Sequence, residues 1–113
     1  MSTFRPLSLS IHGAFELLFG VLALAAPFLF GFTPAGTVLA FLVGVLAIGL
    51  ALDTTEPRDV TAHQGFDYAL AFGAVLIALA LAIAADGAAA LWLGGLGAAQ
   101  LALTAATRYS VRG

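Results

Sequence analysis

Four long apolar runs, separated by short polar intervals, take up most of this chain. Ala14 to Phe32 is apolar except for Glu16, and Ala35 to Leu52 is apolar except for Thr37. Phe66 to Ala85 contains Asp67 near its start, and Ala88 to Thr107 contains Gln100 and Thr104 near its end. As helices rising about 1.5 Å per residue, these runs would each extend about 27 to 30 Å, the thickness of a bilayer's hydrocarbon core. Thr33-Pro-Ala-Gly36 and Asp86-Gly87 have turn composition. The stretch 53–62 opens with Asp53-Thr-Thr-Glu-Pro-Arg-Asp59, the most polar segment of the chain. The pattern predicts an all-α membrane fold. It is a four-helix transmembrane bundle, built from two tandem two-span hairpins within a single domain of 1–113.

Composition supports that class. Apolar residues make up 62% and charged residues 9% of the 113 positions, with a mean hydropathy of +1.09. Soluble domains use roughly 45–50% apolar residues. There is no cysteine, so disulfides and thiolate metal sites are excluded. A net charge of −2 with no lysine argues against nucleic-acid binding, which needs a basic surface. Arg5, an apolar run and Ala23-Leu-Ala25 outline a signal peptide, but Glu16 interrupts the apolar region, and the segment is expected to be retained.

The chain also matches itself. A shift of 51 residues places His12 on His63, Phe15 on Phe66 and Glu16 on Asp67 without a gap. Further on it places Gly36 on Gly87, Phe41 on Trp92, Gly44 on Gly95 and Leu50-Ala-Leu52 on Leu101-Ala-Leu103. Coincident Ala and Leu carry little weight here, whereas paired His, Phe and acid positions carry more. The reading is an internal duplication, with repeats at about 12–52 and 63–107 joined by a cytoplasmic linker at 53–62. An even number of spans per repeat gives both halves one orientation. Arg5, Arg58, Arg108 and Arg112 all fall on the side of the termini and linker, and the hairpin tips carry no arginine. The positive-inside rule then puts both termini in the cytoplasm, for a multi-pass protein of the cell inner (plasma) membrane. Tyr68 and Tyr109 fall at the inner interface and Trp92 near the outer one.

Within the spans, Pro27 is expected to kink the first helix, because it removes a backbone donor and crowds the preceding turn. Small residues recur at helical spacing: Gly20 on the first span, Ala40, Gly44, Ala47 and Ala51 on the second, and Gly94, Gly95, Gly97, Ala98 and Ala102 on the fourth. Such stripes let helix backbones approach closely in lipid, within one bundle or between copies. Gly20, Gly44, Gly94 and Gly95 are the expected packing positions.

The chemistry lies in two pairs spaced i,i+4, His12 with Glu16 and His63 with Asp67, each on one helix face. Gln100 lies at comparable depth, with Thr104 one turn nearer the surface. An acid at the centre of a membrane helix costs roughly 2.5–3.5 kcal/mol, and less near the interface. Partners are therefore expected: His12 near Asp67 or His63, and His63 near Glu16. The bland reading is a polar clamp that docks the two halves. A proton or cation site, and a metal or haem site, are the sharper ones. No dedicated metal spacing, nucleophile motif or cofactor fingerprint is present, so neither metal nor cofactor nor catalytic residue is assigned.

These residues carry a resemblance. His12-x-x-x-Glu16, Ala26-Pro-Phe-Leu-Phe-Gly-Phe32, the acidic Leu52-Asp-Thr-Thr-Glu56 and His63-x-x-x-Asp67 together resemble the SPW-repeat family of small prokaryotic membrane proteins. That resemblance covers about residues 12 to 107 and implies paired two-span repeats. The family's Ser-Pro-Trp tripeptide reads Ala26-Pro-Phe28 in the first repeat and Ile77-Ala-Leu79 in the second, which departs from it entirely. A second resemblance is to small Gly-rich repeat families with one mid-span proline, such as the acid-resistance membrane protein type. The function expected is a non-enzymatic membrane interaction or assembly module. The alternative is a small proton- or cation-coupled transporter or channel using the His and acid pairs. Besides the lipid bilayer, the candidate partners are a second copy of the chain or another membrane protein.

Overall fold

The computed structural model describes residues 5–54 and 60–109. Arg58, Arg112 and the centre of the acidic stretch, including Glu56, lie outside the described residues. Four helices follow one another: α1 (Leu9–Phe30), α2 (Pro34–Asp53), α3 (Val60–Ile83) and α4 (Gly87–Ala106). All four are long and apolar enough to cross a membrane, which makes this a multi-pass helical bundle by length and hydropathy. The first and third helices begin earlier than the apolar runs suggest, so His12 and His63 each lie inside a first helical turn or just above it. Asp53 and Val60–Ala62 are likewise helical, which shortens the expected linker from both ends.

Local chemistry sets the boundaries. The Ser8 hydroxyl accepts from the Ile11 N–H to cap α1. Pro27 lies in the last turn of α1, and the helix continues through it to Phe30 before Gly31 turns left-handed at φ 64. The Pro27 carbonyl accepts from both Gly31 and Phe32 N–H, which satisfies a terminal acceptor. Thr33 caps α2, with Pro34 in the first helical position, where a missing N–H is harmless. Asp86 caps α4, and Ala85 before it takes the left-handed backbone conformation at φ 65.

The interior is built from small residues and the exterior from large ones. Ala23, Ala40, Ala71, Ala74 and Ala89 are buried, while Phe28, Leu29, Leu76, Ile83 and Leu91 face outward. A soluble bundle does the reverse. In lipid the outer faces need only be apolar, and close backbone approach supplies the packing energy. The tightest packing is within the hairpins, α1 on α2 and α3 on α4, with thinner contact between them. A Cβ on Gly44 would meet the Gly20 carbonyl oxygen at 2.9 Å, and one on Gly20 would meet the Gly44 carbonyl oxygen at 2.9 Å. Gly94 is looser, with Ala78 3.3 Å away.

Gly95 corrects the sequence-based expectation. It faces outward, and a Cβ there would meet nothing within 4 Å. The reason is the length of α3, which has 24 residues against 22 in α1. The buried positions of α1 and α3 correspond at the 51-residue shift, as in Gly20 with Ala71 and Ala23 with Ala74. Past the hairpin tip the two extra residues move the correspondence to 53. Gly36, Ala40, Gly44, Ala47 and Ala51 then answer Ala89, Leu93, Gly97, Gln100 and Thr104, all of them buried. The counterpart of Gly44 is therefore Gly97, whose Cβ would meet the Ala71 carbonyl oxygen at 3.0 Å. Ala98 and Ala102 turn outward with Gly95.

Candidate functional site

One end of the bundle gathers the starts of α1 and α3 and the ends of α2 and α4. His12 and Glu16 rise from α1, His63 and Asp67 from α3, and Gln100 comes down from α4. All five are buried, at 0 to 3% exposure. Helical spacing stacks each His under its own acid, and the pairing then crosses between hairpins. His12 Nε2 lies 2.9 Å from Asp67 Oδ2 and 3.4 Å from Glu16 Oε1. His63 Nε2 lies 3.1 Å from Asp67 Oδ2 and 3.7 Å from Glu16 Oε1. The two imidazoles meet edge to face, with ring centroids 6.0 Å apart. The Gln100 amide donates to Glu16 Oε2 at 2.5 Å and reaches Asp67 Oδ1 at 3.5 Å.

Three further residues belong to this site, and the sequence reading missed them. Tyr109, placed at the interface by composition, donates its hydroxyl to Asp67 Oδ2 at 2.6 Å. Burial and that bond push its phenol above the ordinary range, so it remains a donor. Thr107 Oγ1 lies 2.8 Å from His12 Nδ1, and Asp53 Oδ2 lies 2.8 Å from His63 Nδ1. The 51-residue shift could not find them, since they come from the last residue of α2 and the segment after α4. A polar residue within a turn of each span's last residue was the available signal.

These outer bonds orient the rings. The Thr107 hydroxyl gives its proton to the Leu103 carbonyl at 2.6 Å, so it can only accept from His12. The Asp53 carboxylate can only accept from His63. Both rings therefore carry hydrogen on Nδ1, and both Nε2 atoms point inward at carboxylate oxygens. A neutral ring would set its lone pair against oxygen lone pairs at these separations. A proton or a cation has to lie between them: a second ring proton, a carboxylic acid proton or a bound metal ion. His12 Nε2, His63 Nε2 and Glu16 Oε1 make no well-directed hydrogen bond, although all three are buried.

Beyond the cluster the core closes. A void of about 10 Å³ between Ala47, Ala74, Gly97 and Gln100 is at the lower limit for one water. The next polar side chains inside the described bundle are at the opposite end. There the Thr33 N–H and hydroxyl donate to Asp86 Oδ2 at 2.9 and 2.6 Å, tying one hairpin tip to the other. Those bonds hold the Asp86 carboxyl below its usual range. Comparison with protein-family models, curated proteins and solved structures returns no match for this chain.

Proposed function

We propose that this chain is a non-enzymatic assembly module of the cell inner membrane, a self-associating four-span bundle whose duplicated hairpins are clamped by the His and acid cluster. The observation that carries self-association is the outer face of α4. Gly95, Ala98 and Ala102 follow one another there at three- and four-residue spacing, exposed and unused by the chain's own packing. A recess of about 240 Å³ lies over Gly95, edged by Leu91, Trp92 and Leu96. Small residues at this spacing admit a second helix at close range.

The closed apolar core above the cluster supports a held charge rather than a conducted one, which weighs against the channel reading. Arg5 and Arg108 lie at the cluster end, which supports a cytoplasmic position for it and for both termini. Because the chain has no native cysteine, self-association can be tested cleanly by oxidative cross-linking in native membranes. Ala98→Cys on α4 should give a disulfide-linked dimer, and Val38→Cys on the outer face of α2 should not. Adding Gly95→Leu should abolish the Ala98→Cys dimer. Equal cross-linking from both faces, or none from either, refutes the assembly role.

A further inference from the structure

We propose that His12 Nε2, Glu16 Oε1, His63 Nε2 and Asp67 Oδ2 form a tetrahedral site for one borderline divalent cation of the Zn²⁺ type. From the residues alone a metal site is one reading among several and is not assigned, because the ligands come from two helices with no short-range metal motif. The geometry supplies three reasons. The first is separation. A tetrahedral ion with bonds of about 2.0–2.1 Å keeps its ligand atoms about 3.4 Å apart. The four His-to-carboxylate separations are 2.9, 3.1, 3.4 and 3.7 Å, and the candidate ligand atoms all lie within 4.8 Å of one another.

The second reason is that the inward atoms are orphans. His12 and Glu16 are 0% and His63 is 2% exposed, and in each an inward-facing polar atom lacks a hydrogen-bond partner. Atoms that converge to within 2.9 to 3.7 Å of one another without a well-directed hydrogen bond are arranged for a shared third body. The third reason is the outer shell. Metal-bound histidines commonly donate their other N–H to an oxygen, which fixes the tautomer and turns the free nitrogen to the ion. His12 does so to Thr107 and His63 to Asp53, while Gln100 and Tyr109 hold the two carboxylates.

Charge and ligand type select the ion. Two carboxylates and two neutral imidazoles make a doubly negative site, which one divalent cation neutralises within the membrane. Imidazole ligands favour Zn²⁺ and its first-row neighbours over Mg²⁺ or Ca²⁺, which take oxygen. The ion would join α1 to α3, the helices that bring its ligands together from different hairpins.

The test uses the full chain, purified in detergent and stripped with chelator, titrated with Zn²⁺ alone and then with Co²⁺ as an optical reporter. One equivalent should bind, Co²⁺ should show the intense visible absorption of tetrahedral coordination, and the melting temperature should rise with Zn²⁺. His63→Gln and Glu16→Gln should abolish the absorption. Asp53→Asn alters a half-exposed carboxylate outside the ligand set, so it should fold and bind about 10- to 100-fold more weakly. No saturable uptake by folded wild-type protein, or the same Co²⁺ spectrum from His63→Gln, overturns the site. These readouts do not depend on oligomeric state, so the metal site and the assembly role can fail separately.

Discussion

Glu16 is one of the two carboxylates on which the cluster depends. It accepts from Gln100 and faces both imidazoles, so its loss would strand the Gln100 amide and leave the two rings with Asp67 alone. Stranding a buried polar group costs on the order of 1–3 kcal/mol. Glu16→Gln and His63→Ala should each destabilise the chelator-stripped protein by about that much in detergent unfolding. The double mutant should cost less than the two combined, because the second change removes a partner already lost. Strict additivity would mean the two side chains do not act as one clamp. At the other end, Asp86 offers a simpler titration. Its folded carboxyl titrates below its unfolded value, so its contribution is present above about pH 4 and fades as the pH falls below that. The stability difference between wild type and Asp86→Asn should therefore be flat from pH 7 to 5 and shrink below pH 4. A difference that grows on acidification would contradict the hydrogen-bonded, ionised form.

For the helices, the two-residue excess of α3 over α1 decides which glycines matter. Gly44 and Gly97 each sit against a backbone carbonyl of the neighbouring helix, and a larger side chain has no room to move. Gly44→Leu and Gly97→Leu should each destabilise the bundle by about 1–3 kcal/mol through overpacking. Gly95→Leu, pointing outward, should leave the monomer's melting temperature unchanged. A destabilised Gly95→Leu with an unaffected Gly97→Leu would restore the ungapped 51-residue alignment and refute the 53-residue one. The cap at Asp86 acts on a helix as well as on a tip: it accepts from the Ala89 N–H while Thr33 donates to it. Asp86→Ala should therefore cost about 1 kcal/mol for the cap alone.

Across the molecule, the even number of spans puts the cluster and both ends of the described chain on one side, and the hairpin tips on the other. Gly87 is exposed at a tip, and a Cβ there would meet nothing. In the proposed orientation, an impermeant maleimide should label Gly87→Cys in intact cells and should reach Arg5→Cys only after lysis. The reverse pattern would invert the topology while leaving the fold intact.

Much of this protein is legible from local sequence. Apolar run length sets the number of helices, Thr33-Pro34 and Asp86-Gly87 mark the tips, and i,i+4 spacing puts each His beneath an acid. These are properties of neighbours along one helix, where 3.6 residues per turn converts position into direction. Longer relations were not legible. Nothing within α4 tells that Gly97 rather than Gly95 faces inward, because that depends on where α3 ends and how the second hairpin turns. Nor does anything near Tyr109, Thr107 or Asp53 mark them as partners of residues far away in the chain. The convergence of two Nε2 atoms on two carboxylates exists only once the hairpins dock. The charge balance of the buried site is therefore decided by tertiary structure, where removal from water makes every unpaired group costly.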